Sequence, residues 1–193
     1  FFGLPMPLLA IHILWINLIT DGLPGLALAS ESNEPNIMNR TPRDPNESIF
    51  SRGLGFHIVW VGFLICIITL GIQSWALHKH FENCQTMAFS VLCFSQLGHV
   101  MAIRSTQDSV FTIGLCSNKS LTLSLILTIT LQLLIIYVPW CNDIFKTQPL
   151  SVFELGITLC VSSLTFWAVE IEKWILRRNM DTRQSFVSII SIH

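Results

Sequence analysis

Five long apolar stretches constrain this chain more than any other feature of its sequence. They cover about residues 4–30, 54–77, 86–103, 120–139 and 150–169. Each is close to the ~20 residues that a helix needs to cross ~30 Å of hydrocarbon. Because backbone amides in lipid must be hydrogen-bonded within their own segment, we expect these stretches to be helices. The chain is therefore predicted to be an all-α membrane protein, a bundle of five transmembrane helices in a lipid bilayer.

The charged residues are few and segregated into the connections between these stretches. They make up 12% of the chain, against roughly 25% in a soluble domain. The net charge of −1 gives no reason to expect a nucleic-acid partner. The chain opens with Phe1 and Phe2, without an initiator Met or a basic region typical of a signal peptide. We therefore expect a start inside a larger protein.

Lys and Arg predict the orientation, because cytoplasmic loops carry an excess of both. Five spans place the two termini on opposite sides, and the loops between them alternate. One side holds only Lys79 and Lys146. The other side holds Arg40, Arg43, Arg52, Arg104, Lys119, Lys173, Arg177, Arg178 and Arg183. The N-terminus is predicted outside, and the tail 173–193 is predicted to be cytoplasmic.

The first apolar stretch contains three oxygen-bearing side chains on one helix face. Asn17, Thr20 and Asp21 stand at i, i+3 and i+4. Pro24 follows and cannot donate to the carbonyl four residues earlier, so we expect the helix to be unwound near Gly22–Pro24. Such oxygens bind hard cations, and an intramembrane carboxylate marks a functional site by default. The alternative is a structural polar cluster that joins helices.

Three further polar side chains lie inside the apolar stretches. Gln96 and His99 share one face of the third stretch, where an interhelical hydrogen bond competes with a ligand role. For His12 we expect packing rather than an ion exit path. Beyond residue 169, Glu170, Glu172 and the nearby basic residues are typical of a solvated helix end.

The six cysteines show no spacing typical of a metal site. Cys66, Cys93 and Cys160 lie inside apolar stretches, where we expect them to pack as small hydrophobic residues. Cys84 and Cys141 are the two that fall in the predicted outer loops, so a disulfide between them is a hypothesis.

The loop 31–52 is polar and rich in proline, which excludes a continuous helix. It is either a solvated connector or a docking surface for a cytoplasmic domain. Composition alone does not favour either the connector or the docking surface.

Residues 15–24, Trp-Ile-Asn-Leu-Ile-Thr-Asp-Gly-Leu-Pro, resemble the sixth transmembrane helix of type II P-type ATPases in its Ca²⁺-pump form. Residues 36–43, Asn-Ile-Met-Asn-Arg-Thr-Pro-Arg, resemble the cytoplasmic loop that follows it. Residues 86–90, with Gln96, Leu97 and His99, resemble the eighth helix of bacterial members. The five spans would then be helices six to ten, and the membrane would be a bacterial inner membrane.

The resemblance implies ligands for the transported Ca²⁺ at Asn17, Thr20 and Asp21. A glutamate of the eighth helix corresponds to Gln96, so one Ca²⁺ per cycle is expected rather than two. Sodium–potassium pumps carry Asp at the position of Asn17, which favours Ca²⁺ here. The resemblance also implies that the loop with Arg40, Pro42 and Arg43 couples the ion site to the phosphorylation domain.

The chain lacks the phosphorylated Asp–Lys–Thr–Gly–Thr motif and any nucleotide-binding motif. ATP and Mg²⁺ would therefore act only through missing parts: the phosphorylation and nucleotide domains, and helices four and five. The first prediction is the C-terminal membrane domain of a Ca²⁺-exporting pump. The alternative is a non-enzymatic pump remnant or accessory membrane protein. A channel or secondary carrier is disfavoured because no inverted repeat is present.

Overall fold

The computed structural model describes residues 6–30, 54–104, 114 and 118–190, with side chains through Arg178. This part of the chain is helical and contains no strand. The helices are α1 (Ala10–Leu28), α2 (Leu54–His78), α3 (Cys84–Ala102), α4 (Lys119–Tyr137), α5 (Pro139–Phe145) and α6 (Val152–Ile190). The chain is thus an all-α bundle, as the apolar stretches predict.

Helix α3 lies at the centre of the bundle, in contact with α1, α2, α4 and α6. Its residues from Thr86 to Val91 are all buried. Met87 and Val91 pack into one hydrophobic cluster with α2 and α6, and Phe94 and Leu97 pack into another with α1 and α4. Because α3 is central, its residues contact each of the four other long helices.

Four helical segments are long and apolar enough to cross a membrane: Ala10–Leu28, Gly55–His78, Lys119–Tyr137 and Val152–Arg178. Helix α3, the predicted third span, is not among them, although its 19 residues would extend about 28 Å. Its sequence is more polar, with Ser95, Gln96 and His99 in its second half. Since its neighbours shield it, α3 does not need the apolar surface that lipid contact demands.

Helix α1 is irregular where the sequence places its polar residues. It is α-helical over Ala10–Trp15, π-helical over Ile16–Asp21 and α-helical again over Gly22–Leu28. The irregular segment therefore lies one turn earlier than the predicted unwinding at Gly22–Pro24. Pro24 cannot donate to a carbonyl of the preceding turn, and a wide turn is one way for a helix to absorb that loss.

One end of the bundle, here called the Lys79 end, is held together by side-chain to backbone bonds. Gln85 Nε2 donates to the Met6 carbonyl at 3.1 Å, and Thr86 Oγ1 accepts from the Gln148 amide at 2.9 Å. The Glu154 carboxylate accepts from the Ser151 amide at 2.7 Å and caps α6. These bonds bring the start of α1, the α2–α3 connection and residues 146–154 to one end.

The opposite end, here called the basic end, carries Arg104, Lys119, Lys173 and Arg177. The prediction that this part of α6 is a solvated helix end was wrong, because Glu170 and Lys173 are 7% and 4% exposed. Lys173 Nζ donates to the Ala102 carbonyl at the end of α3 and lies 3.2 Å from Glu170 Oε1. Helix α6 also continues through the predicted tail to Ile190.

The cysteines follow the prediction in part. Cys84 and Cys141 are both free thiols, so the hypothesised disulfide is not formed. Cys93 is buried, as expected of a packing residue. Cys66 and Cys160 are instead exposed on the outer surface of the bundle. Their apolar surroundings in the sequence reflect lipid-facing stretches rather than a packed core.

Candidate cation site

The three polar residues in the π-helical segment of α1 have different environments: one faces the interior of the bundle and two lie at its surface. Thr20 is completely buried, whereas Asn17 and Asp21 are exposed in the part of the chain that the structure describes. A π turn has more residues per turn than an α turn, which changes the direction of each successive side chain. The segment therefore presents one hydroxyl to the bundle, and an amide and a carboxylate to its open side.

Helix α3 provides the wall behind Thr20. The Thr20 hydroxyl donates to Cys93 Sγ at 3.7 Å, and Cys93 is fully buried. Gln96 follows Cys93 by three residues, so it lies on the same side of α3. Its Oε1 atom is buried and has no hydrogen-bond partner among the described residues. An unsatisfied buried carbonyl oxygen beside a polar turn is unusual and calls for a ligand or a water.

The four side chains are chemically suited to a hard cation. Asp21 offers a charged carboxylate, and Asn17, Gln96 and Thr20 offer neutral oxygens. All four ligands are oxygens, and none is a soft ligand such as a thiolate. Ca²⁺ takes six to eight oxygen ligands, so these side chains would form only part of a coordination shell. In the described ranges no group of three or more His, Cys, Asp or Glu side chains forms a metal site.

Sequence reasoning missed a polar contact immediately before the π segment. Trp15 Nε1 donates to Gln132 Oε1 at 2.9 Å, and Gln132 of α4 is fully buried. This bond ties α1 to α4 just before the helix widens. The signal in the sequence was a lone glutamine in the middle of an otherwise apolar stretch, which in membranes is typical of an interhelical bond.

His12 is a packing residue, as predicted. Its Nδ1 accepts from the Leu9 amide at 3.2 Å, so its Nε2 carries the proton that it donates to the Phe145 carbonyl at 2.7 Å. The ring stacks on Phe89 at 4.3 Å between centroids. Both nitrogens are thus engaged, and the side chain joins α1 to α5 at the Lys79 end.

His99 has partners that the sequence did not indicate. Its Nε2 lies 3.3 Å from Nε2 of His57 on α2, and His57 Nδ1 lies 2.6 Å from the carboxylate of Glu172 on α6. Side chains of three helices therefore meet at His57, which contacts both His99 and Glu172. His57 is 42 positions from His99 and 115 positions from Glu172 along the sequence. The periodicity of a single apolar stretch cannot predict contacts between residues so far apart.

The coupling residues predicted from the loop, Arg40, Pro42 and Arg43, lie outside the described residues. The structure thus bears on Asn17, Thr20, Asp21 and Gln96. It places Thr20 against Cys93 of α3, three residues before Gln96, and it leaves Asn17 and Asp21 on the open side of the same segment.

The fold and the polar segment define a multi-pass α-helical membrane protein with a candidate cation site in an irregular helix. Residues 5–175 match the family described as "Cation transporting ATPase, C-terminus". The chain belongs to this family.

Two bacterial proteins and a human one illustrate the relationship. The calcium-transporting ATPase of Bacillus subtilis is 38% identical over 84% of this chain and 18% of its own length. Calcium-transporting ATPase 1 of Bacillus cereus is 36% identical over 89% of the chain and 21% of its own length. Human calcium-transporting ATPase type 2C member 1 is 33% identical over 97% and 20%. The chain thus spans about a fifth of the length of these relatives.

Proposed function

We propose that this chain is the C-terminal membrane domain of an ATP-driven pump that exports Ca²⁺. The observation that supports this proposal is the π-helical segment Ile16–Asp21, whose Thr20 hydroxyl lies against α3, in a chain related to calcium-transporting ATPases. An irregular turn is where a membrane helix can offer oxygens to an ion without exposing backbone to lipid. In this proposal Ca²⁺ is the transported substrate.

Each proposed ligand has a distinct part. Asp21 supplies the negative charge, and Asn17 and Gln96 supply amide oxygens. The Thr20 hydroxyl gives its hydrogen to Cys93 Sγ, so its lone pairs are available to a cation. With a single carboxylate among the four, the site would compensate only one positive charge, which favours one Ca²⁺ per cycle.

Transport would follow alternating access. ATP and Mg²⁺ would act through the phosphorylation and nucleotide domains and the fourth and fifth helices, which the proposal assigns to other parts of the pump. The loop with Arg40, Pro42 and Arg43 would transmit the movement to α1. As ligation weakens and the site opens outward, Asp21 would take up a proton, which permits counter-transport of H⁺.

The proposed setting is the inner membrane of a bacterium. The Lys79 end faces outside and the basic end faces the cytoplasm, in line with the positive-inside rule. Among the described residues of the predicted cytoplasmic side, Lys173 and Arg104 lie together near the end of α3. This geometry supports the proposed orientation.

The ion site is tested with Asp21→Asn in a complete pump that contains this chain. We expect this variant to lose equilibrium ⁴⁵Ca²⁺ binding and Ca²⁺-dependent phosphorylation from ATP, because the charge that pairs with the cation is gone. Asp143→Asn is the matched control, since Asp143 is exposed on α5 at the Lys79 end. Retained Ca²⁺ dependence in Asp21→Asn would overturn the assignment. Loss in both variants would point to a general defect.

A further inference from the structure

Glu172, His57 and His99 form a continuous hydrogen-bonded chain across three helices. The Glu172 carboxylate lies 2.6 Å from His57 Nδ1, and His57 Nε2 lies 3.3 Å from His99 Nε2. A carboxylate accepts, so His57 Nδ1 carries a proton in this arrangement. Of the two facing Nε2 atoms, one must donate and the other accept. The three side chains are thus joined in a row by hydrogen bonds.

The two imidazoles meet edge to edge. Their ring centroids are 5.5 Å apart and their planes differ by 23°. The centroid separation is close to the Nε2–Nε2 distance plus the two ring radii, so the nitrogens point at each other along the line between the rings. Face-to-face stacking would bring the centroids closer without aligning the nitrogens. The geometry is that of an N–H···N bond along which a proton can pass.

The chain joins the bundle surface to its interior. His57 and Glu172 are each 19% exposed, and Glu172 stands next to Lys173 at the basic end. His99 lies on the same face of α3 as Gln96 and Ser95, which stand three and four residues before it. Ser95 is completely buried, and both Ser95 Oγ and Gln96 Oε1 lack a hydrogen-bond partner in the described ranges. Buried polar oxygens of this kind are usually satisfied by ordered water.

The other charged side chains near the triad are those of the α3 and α6 ends. Lys173 Nζ is held by Glu170 and the Ala102 carbonyl, and Arg104 Nη1 donates to the Gly114 carbonyl at 3.0 Å. Arg178 lies over the Trp174 ring at 4.0 Å. On α2, the Trp60 ring packs edge-on against His57 at 6.3 Å. The Glu172 carboxylate contacts His57.

We propose that Glu172, His57 and His99 conduct protons between the basic end and the Gln96 side of the candidate cation site. At rest, Glu172 is ionised, His57 is protonated on Nδ1 and His99 on Nε2. A proton arriving at His99 Nδ1 from a water bonded to Ser95 or Gln96 starts the transfer. The N–H bond of His99 Nε2 then breaks as one forms at His57 Nε2.

The transfer is completed at Glu172. The N–H bond of His57 Nδ1 breaks as an O–H bond forms on the Glu172 carboxylate, and the carboxylic acid then releases the proton to water. One proton has entered at His99 Nδ1, and one has left from Glu172. A flip of each imidazole ring then restores the starting tautomers. The reverse sequence carries a proton inward.

This inference rests on the proposed function, since it assigns the exit for protons that Ca²⁺ displaces. The two can fail separately. Equilibrium ⁴⁵Ca²⁺ binding measures the ion site and is expected to be lost in Asp21→Asn but retained in variants of the triad. Binding retained in Asp21→Asn would overturn the ion site, whatever the triad variants do.

The test uses the complete pump in sealed liposomes, with ⁴⁵Ca²⁺ uptake and an entrapped pH dye read together. Glu172→Gln and His99→Gln should lower uptake roughly tenfold at about pH 6, where the site binds Ca²⁺ only after losing protons, and by less than about twofold at pH 8. His78→Gln is the control, because His78 is exposed at the Lys79 end. It should follow the unmodified pump at both pH values.

Chemical rescue separates proton transfer from a structural role. His57→Ala should show the same pH-dependent loss, and added imidazole should restore uptake at about pH 6 because it can carry the proton in place of the missing ring. An equal fractional loss at both pH values would overturn the proposal, and so would failure of imidazole to rescue. Glu172→Gln keeps the size of the side chain but cannot be ionised. Unchanged uptake at pH 6 in that variant would equally exclude the path.

Discussion

At the scale of single residues, the interior polar groups fall into those that tie helices together and those that lack a partner. His12 and Gln132 each bond to another element, which fixes α1 against α5 and α4. The unpartnered oxygen of Gln96 lies instead where an ion or water would be bound. This distinction matters more in a membrane interior than in a soluble protein, because no bulk water is present there to form hydrogen bonds with an unsatisfied polar group.

The buried Lys173 is expected to be among the larger single contributions to stability. Lys173→Met removes the buried cation that lies 3.2 Å from Glu170 Oε1 and that donates to the Ala102 carbonyl at the end of α3. We expect the free energy of unfolding to fall by about 3 kcal/mol. Denaturant titration of the purified chain in detergent micelles, followed by tryptophan fluorescence, would measure it.

Lys79→Met serves as the comparison, since Lys79 is exposed at the other end of the bundle. It should change the free energy of unfolding by less than about 0.5 kcal/mol. Equal effects of the two substitutions would show that the buried pair has no special role.

At the scale of the helix, α1 combines two α-helical halves with a π-helical turn between them. Pro24 has no backbone N–H and therefore withholds a donor from the Thr20 carbonyl within this turn. The consequence is that Thr20 faces α3 while Asp21 remains on the open side. The irregular turn, rather than the polar residues alone, decides which groups can meet at the candidate site.

Pro24→Ala should weaken Ca²⁺ binding. Alanine returns an N–H that can bond to the Thr20 carbonyl, so the α-helical register can continue and rotate the three polar side chains. We expect Ca²⁺ affinity to fall roughly tenfold, a change of about 1.4 kcal/mol, in equilibrium ⁴⁵Ca²⁺ binding to the complete pump. Pro139→Ala is the control, because Pro139 stands in the first turn of α5, where no donor is lost. Unaltered affinity in Pro24→Ala would mean that the proline does not set the geometry.

At the scale of the whole molecule, the bundle is arranged around the polar helix α3 with apolar helices outside it. The inward side of α3 contacts the candidate site at Cys93 and the proposed proton path at His99. A central polar helix can serve both because lipid never touches those faces. The two ends of the bundle differ in charge, and the positive-inside rule predicts from this difference that the basic end faces the cytoplasm.

The orientation predicts which positions an impermeant maleimide reaches in intact cells. In a background without the native cysteines, Asp143→Cys at the Lys79 end should be labelled from outside. Lys119→Cys at the basic end should be labelled only after the membrane is opened. Labelling in the reverse order would contradict the positive-inside assignment.

Much of the fold was predictable from local pattern. Apolar length predicted the helices, and the i, i+3, i+4 spacing of Asn17, Thr20 and Asp21 predicted a polar segment in the first of them. The shift of the irregular turn to Ile16–Asp21 was not predictable, because several hydrogen-bond registers can accommodate one proline. The burial of Glu170 and Lys173 was missed for a related reason: charges near a helix end are usually solvated, and only packing against α3 shows otherwise.

The sequence by itself determined that this is a multi-pass helical membrane protein, which family it belongs to and which residues carry oxygens into the membrane. These follow from apolar length, composition and motif, all of which are local along the chain. Only the tertiary structure decided that α3 is central, that Thr20 meets Cys93, and that Glu172, His57 and His99 form one row. Such contacts join residues far apart in the sequence, and they depend on how whole helices pack.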